Sequence, residues 1–217
     1  RLAMMLRTSG VSKEDTLTRL KLANSLLYLT RGQPVVYYGD EQGFEGSGGD
    51  KAARQDMFAS KVASYNSEEV IGGASGSKDR YNTNAPLYRQ IADLAKLRAK
   101  HPALADGAQI ERYASSDAGI FAVSRIDKAA NREYLVVTNN ATTAKTATFA
   151  TYTPGGRFTP LLGGGGDERA DRFGRVTVRV PALSADGATG AAPPGCRLLW
   201  EIRPVCHSCT AIWPFSA

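Results

Sequence analysis

The residues with the greatest capacity for chemistry lie at two places in the chain. From Gly32 to Gly43 the sequence reads Gly-Gln-Pro-Val-Val-Tyr-Tyr-Gly-Asp-Glu-Gln-Gly. An apolar run ends there in two adjacent carboxylates, Asp40 and Glu41. Neighbouring side chains on an extended chain point to opposite sides, so at most one of them faces a common site. Glu41 is expected to hold the loop together by hydrogen bonds. Asp50 and Arg54 follow, an acid and a base with the spacing of an i,i+4 ion pair. The second place is the end of the chain, where Cys196, Cys206, His207 and Cys209 are soft metal ligands. Cys206-His207-Ser208-Cys209 has Cys-x-x-Cys spacing without a second paired unit. All three cysteines and both tryptophans fall beyond residue 195. That shift in composition has two readings, a metal knuckle or a frameshifted or misjoined tail.

Composition bounds the remaining possibilities. The chain has 217 residues, 42% of them hydrophobic and 22% charged, which is globular rather than disordered. The formal net charge is +6, but Lys and Arg are scattered among Asp and Glu. No basic run suits a nucleic acid, and no stretch of about 18 apolar residues suits a membrane span. Asn140-Ala141-Thr142 is a glycosylation sequon, relevant to a eukaryotic secretory pathway. The chain opens Arg-Leu-Ala-Met-Met-Leu-Arg, with neither an initiator Met nor a signal-peptide pattern. This start is expected to be the interior of a longer chain.

The elements that would position these residues follow from periodicity. Residues ~12–30 read as a helix, with Ser12 and Asp15 as its capping box. Leu17, Leu20, Leu22, Leu26, Leu27 and Leu29 would form its apolar face. Val35–Tyr38 reads as a strand apolar on both faces, as in a parallel sheet covered by helices. Residues 39–85 read as a long loop, with a short helical piece near 52–60. Pro86 opens a second helix to about Lys100, with Leu87, Ile91, Leu94, Ala95 and Arg98 on one face. The period then changes to two. Short strands are expected at 110–114, 119–126, 133–139, 146–152, 157–161 and 175–180, the pattern of an antiparallel sandwich. Val180–Ala185 reads as the approach to a last strand, interrupted by Asp186-Gly187-Ala188-Thr189-Gly190.

The stretch from Gly32 to Gly43 resembles the last-strand motif of the alpha-amylase family, glycoside hydrolase family 13: Gly-x-Pro, a hydrophobic strand, Tyr-Gly-x-Glu-x-Gly. Leu97-Arg98-Ala99-Lys100-His101-Pro102-Ala103-Leu104 resembles the family's link from its final barrel helix to the C-terminal β-domain. The fold implied is α/β followed by all-β: a partial (β/α)8 barrel, represented by its last β/α unit, plus an antiparallel β-sandwich. The divisions expected are 1–102 for the barrel part, 103–185 for the sandwich and 186–217 for an irregular tail. Asp50-Lys51-Ala52-Ala53-Arg54 resembles an Asp-x-x-x-Arg element that in related enzymes holds sugar units on the non-reducing side of the cleaved bond. A carboxylate and a guanidinium suit pairs of sugar hydroxyls, and an aromatic face such as that of Tyr37, Tyr38 or Phe44 suits the C–H side of a ring. The substrate-contacting residues so implied are Asp50, Arg54, Glu41 and Phe44, whereas Tyr37 and Tyr38 are read as barrel packing.

Glycoside hydrolysis needs two carboxyl groups about 5–9 Å apart across the bond. Adjacent Asp40 and Glu41 cannot straddle it. The family's nucleophile, acid and His-Asp motifs have no match here: the only histidines are His101 and His207, and neither precedes an aspartate. Arg1 is expected to stand just after the family's Asn-His-Asp motif. No catalytic residue, metal ligand or cofactor is therefore assigned, and a calcium ion in the complete enzyme would take its ligands mostly from elsewhere. The partners expected are an α-glucan oligosaccharide or polysaccharide and the remaining part of the barrel. The parent would be a retaining hydrolase or a transglycosidase in the extracellular space or periplasm. The alternatives are a non-catalytic carbohydrate-binding sandwich and a truncated product without function. Without the rest of the barrel, the apolar helix faces are expected to stay exposed.

Overall fold

A computed structural model describes residues 1–191 except 47, 52, 69 and 74–76. The Cys/His cluster beyond residue 195 lies outside the described residues. The chain forms two compact units: Arg1–Tyr28 with Gly32–Lys100, and Leu29–Arg31 with the chain from His101 onward. No helix among the described residues is long and apolar enough to cross a membrane.

The first unit contains α1 (Leu2–Thr8), α2 (Lys13–Leu29), α3 (Ala63–Asn66) and α4 (Pro86–Lys100). The Ser12 hydroxyl accepts the Asp15 N–H at 3.1 Å, so the capping pattern works as its spacing predicts. Helices α2 and α4 lie side by side. Gln90 Nε2 donates to Lys21 O at 2.8 Å and to Ser25 Oγ at 3.2 Å. Arg98 donates to Tyr28 O and Gly32 O, each at 2.6 Å. A cation thus meets the Tyr28 carbonyl, one of those that the end of α2 leaves without intrahelical partners, and the Gly32 carbonyl just beyond it. Leu87 and Leu94 of α4 and Leu22 of α2 are buried, but Leu27 is exposed and so is Ala95.

Two expectations fail in this unit. Val35–Tyr38 is not a buried strand. It forms no ladder, and Val35, Tyr37 and Tyr38 are 75%, 46% and 41% exposed. A parallel strand needs a neighbour to take its backbone groups, and among the described residues none runs beside it. The helical piece expected near 52–60 is also absent from the described residues there, and the helical turn falls instead at Ala63–Asn66.

The second unit is an antiparallel sandwich preceded by a helical turn, α5 (Ala103–Asp106). Its strands are β1 (Ala108–Ala114), β2 (Ile120–Asp127), β3 (Arg132–Asn139), β4 (Lys145–Ala150), β5 (Arg157–Leu162), β6 (Glu168–Arg169), β7 (Arg175–Val180) and β8 (Ser184–Ala191). One sheet has the order β1-β2-β3-β8-β5-β6, and β4 and β7 form the second. Strict alternation buries Val176, Val178 and Val180 of β7. They meet Phe149, Ile120, Ala122, Leu135, Val137 and Phe158 in a core shared by both sheets.

Strand β8 corrects the sequence reading. The segment expected to interrupt the last strand is itself a strand, and it lies between β3 and β5 in the larger sheet. The division at 186 therefore falls inside a strand. Its small residues hid it, because β-branched and aromatic types are the usual sign. Packing explains their size. Gly190 pairs with Phe158, and a Cβ on Gly190 would come within 2.5 Å of the Phe158 ring, which is fully buried.

Buried polar side chains pin the sandwich. Glu133 is fully buried. It accepts from Arg112 Nη2 at 2.8 Å, Ser124 Oγ at 2.5 Å, Tyr152 N at 2.8 Å and Thr153 Oγ1 at 2.7 Å. It thereby ties β1, β2 and β3 to the β4–β5 connection. Asn139 Nδ2 reaches Thr143 O, Val180 O and Pro181 O at 2.9, 3.1 and 2.9 Å, joining the end of β3 to the end of β7. Arg125 donates to Ala103 O and Ala105 O, both at 3.2 Å, and holds α5 on β2. Removing the carboxylate in Glu133→Ala leaves Arg112 without its buried partner. Urea denaturation is expected to show a loss of about 3–5 kcal/mol.

Asp186 opposes Val137 in the β3–β8 register, so its side chain shares the core face. It lines a cavity of about 50 Å³ with Leu135, Val137 and Phe158. Burial raises its carboxyl pKa above the ordinary 3.8. The neutral acid therefore favours the folded state. That contribution is complete below the unfolded value and is lost as pH rises through the folded one. Asp186→Asn is expected to raise the melting temperature at about pH 7, with the gain vanishing toward about pH 3. Thermal unfolding across that range checks it.

Candidate functional site

The candidate site is the loop that follows the exposed tyrosines. After Tyr37 the chain turns tightly, with Asp40 N donating to Tyr37 O at 3.1 Å and Phe44 N to Gly39 O at 2.9 Å. Gly39 has φ +88°, and a Cβ there would lie 2.4 Å from the Phe44 ring. Glu41 Oε2 accepts the Gly39 N–H at 2.8 Å, so this carboxylate holds the turn. Gln42 is buried and grips the backbone of Asn82 from both sides: Oε1 accepts its N–H at 3.0 Å and Nε2 donates to its carbonyl at 3.3 Å. An isolated bridge between Phe44 and Val70 closes the far side.

Phe44 is only 1% exposed, and this corrects its place among the sugar-contacting residues. The Arg80 guanidinium lies 4.4 Å from its ring centroid and that of Arg1 5.3 Å away. Its ring is taken up by cation–π contacts inside the loop. Arg80 is itself buried and donates to Tyr65 O at 3.0 Å. Burial lowers its pKa, and the carboxylates of Glu68 and Asp56 act in the opposite direction. The aromatic surface open to a ligand belongs instead to Tyr37 and Tyr38, whose ring centroids are 4.6 Å apart at an interplanar angle of 50°. The Tyr38 hydroxyl titrates above its ordinary 10. Desolvation is the main cause, followed by its hydrogen bond to Tyr37, and Arg1 opposes the shift.

Asp40 does not stand free. Its Oδ1 accepts from Arg1 Nη1 at 2.5 Å. Asp50 and Arg54 pair through Oδ2 and Nη2 at 2.7 Å, with their side chains 81% and 59% exposed. A pair this wet contributes about 0–1 kcal/mol to stability, so its groups are available to outside hydroxyls at little cost. The structure thus brings Tyr37, Tyr38 and Asp40 together around Arg1. It leaves Asp50 and Arg54 at the surface, and it withdraws Glu41 and Phe44 into the loop. Gln42 and Arg80 were missed by sequence reasoning. Gln42 lies within the quoted motif, but nothing in the sequence pairs it with Asn82, and Arg80 carries no local signal. Among the described residues, no group of three or more His, Cys, Asp or Glu is placed to hold a metal ion.

A helical unit with a long, side-chain-braced loop, followed by an antiparallel sandwich, is the architecture found in the C-terminal part of alpha-amylase structures. The Anoxybacillus alpha-amylase structure superimposes on 90% of this chain and 36% of its own, with a TM-score of 0.63 and 21% identity. In sequence, an alpha-amylase of Streptomyces lividans is 51% identical over 172 residues, covering 79% of this chain and 19% of the relative. A cyclomaltodextrin glucanotransferase of Paenibacillus macerans is 30% identical over 136 residues, covering 62% of this chain and 16% of the relative. No family model matches the chain. By this homology the chain matches part of the alpha-amylases, enzymes of the glycoside hydrolase family it resembles, and it spans about a fifth of the length of the curated alpha-amylase it matches.

Replacing Gly39 forces a side chain into the left-handed region and against Phe44. Gly39→Ala is expected to destabilise the first unit by about 1–3 kcal/mol. The check is amide hydrogen exchange, which should accelerate within 39–44 and leave β2 and β3 unchanged.

Proposed function

We propose that the chain serves an alpha-amylase-type glycosidase or transglycosidase that acts on starch-like α-glucans, and that it supplies sugar contacts rather than the cleaving carboxylates. The observation that carries this reading is the 51% identity to an alpha-amylase over 79% of the chain. The geometry supports the contact role. Tyr37 and Tyr38 offer aromatic faces to solvent, and Asp50 and Arg54 offer an acceptor and a donor that little else engages. Aromatic faces and charged hydrogen-bonding groups are what a sugar ring with vicinal hydroxyls requires.

Among the acids of the loop, Asp40 is ion-paired with Arg1 and Glu41 is committed to the Gly39 N–H. Neither is arranged as half of a pair flanking a bond, which supports the reading that the nucleophile and the general acid belong to another part of the parent enzyme. The parent enzyme would act outside the cell or in the periplasm, where polymeric glucan is met. Among the sandwich aromatics that the binding-module alternative would use, Tyr134, Phe149 and Phe158 are buried, whereas Tyr113 and Phe173 are exposed.

Titration calorimetry with maltoheptaose tests the contact role. Asp50→Asn and Arg54→Ala are each expected to weaken binding about tenfold, the loss of roughly 1.4 kcal/mol. An undiminished affinity in both variants overturns it. Incubation of the chain alone with soluble starch should release no reducing ends. Release would show that the chain holds its own catalytic carboxylates.

A further inference from the structure

The loop from Tyr38 to Arg54 contains no helix and no ladder strand among its described residues. Regular structure therefore does not set its position, and side chains must. One of them touches both of its ends. The Arg1 side chain is 5% exposed although it starts the chain. Its Nη1 donates to Asp40 Oδ1 at 2.5 Å and its Nη2 to Tyr38 O at 2.9 Å, both in the turn. Its Nε donates to Ala53 O at 3.3 Å, one residue before Arg54 and three after Asp50. The same guanidinium lies 4.9 Å from the Tyr37 centroid, 5.7 Å from that of Tyr38 and 5.3 Å from that of Phe44.

We propose that Arg1 is a positioning residue for sugar binding: its guanidinium clamps the Tyr37–Asp40 turn to the segment that carries Asp50 and Arg54, so that tyrosine faces and hydroxyl partners are presented together. This inference rests on the reading of Asp50 and Arg54 as sugar contacts. The chemistry selects arginine for the task. Five N–H donors in a rigid planar fork can serve a carboxylate and two carbonyls at once while the flat face stacks on aromatic rings. A lysine ammonium keeps the charge opposite Asp40 but cannot span the turn and Ala53 together. The other ties of the loop act elsewhere. Gln42 grips Asn82, and Arg7 of α1 approaches Glu45 at 3.9 Å. Neither reaches the Asp50–Arg54 segment.

The test uses the full chain with Arg1→Met, Arg1→Lys and Asp50→Asn, and it reads two quantities. Maltoheptaose affinity is measured by calorimetry, and amide exchange is followed at Asp40, Ala53 and across α4. In Arg1→Met, affinity is expected to fall about tenfold or more. Exchange at Asp40 and Ala53 should rise about tenfold with α4 unchanged. Arg1→Lys should recover protection at Asp40 but not at Ala53, with an affinity between the two. A general loss of fold in Arg1→Met would appear as faster exchange in α4, and Arg1→Lys then decides. Unchanged affinity in the Arg1 variants alongside weakened binding in Asp50→Asn overturns the positioning role. If Asp50→Asn binds like the unaltered chain, the sugar-contact reading has failed instead. Exchange at Ala53 then decides whether Arg1 clamps the loop, and an unaltered rate there overturns the clamp as well.

Discussion

Side chains that hydrogen-bond to backbone groups from distant parts of the chain hold both units in shape. A backbone N–H or C=O that finds no place in a helix or ladder still needs a partner when water is excluded. In the first unit Arg98 serves the carbonyls at the end of α2, Gln42 serves both backbone groups of Asn82, and Arg1 serves Tyr38 and Ala53. In the second, Arg125 serves Ala103 and Ala105, Asn139 serves the β7 end, and Glu133 serves the N–H of Tyr152. The long loop depends on this device most, because 39–62 and 67–85 hold no helix or ladder strand among their described residues. A guanidinium or a carboxamide replaces a strand neighbour there.

The same economy explains the division of labour among the aromatic residues. Phe44 fills the loop interior close to two guanidinium groups, and Phe158 fills the sandwich against Gly190 of β8. Those rings are structural. Tyr37 and Tyr38 remain at the surface with Arg1 close to both rings. A cation near the tyrosines and an acid paired to it make this surface both polar and aromatic.

The sandwich is built differently. Its two sheets meet in an apolar core, and Glu133 and Arg112 place an ion pair at its margin that is fully partnered by hydroxyl and backbone donors. Such a pair contributes little beyond what apolar side chains would give, but it tolerates no missing member. Asp186 is the contrasting case, an acid on the core face lining a small cavity with apolar side chains. Its burial disfavours the charged form that neutral pH imposes.

Whatever follows from local pattern was legible in the residues alone. Ser12 and Asp15 announced the start of α2, and Pro86 that of α4. Alternating residues marked six strands to within two residues of where they stand. Glu41 as a brace for its own turn was also legible, since its partner is two residues away. Tertiary structure decided the rest, and the reason is the same at each point. The pattern around Val35–Tyr38 is that of a buried strand, but burial needs a neighbouring strand, and the described residues provide none. Strand β8 lacks a β-forming pattern, and at Gly190 the reason is the Phe158 ring, which leaves no room for a side chain. Phe44 looks in sequence like a platform, yet Arg1, Val70 and Arg80, all distant in the chain, converge on it and help enclose it. Pattern reports what a residue prefers, whereas contacts between residues distant in sequence settle whether that preference is met.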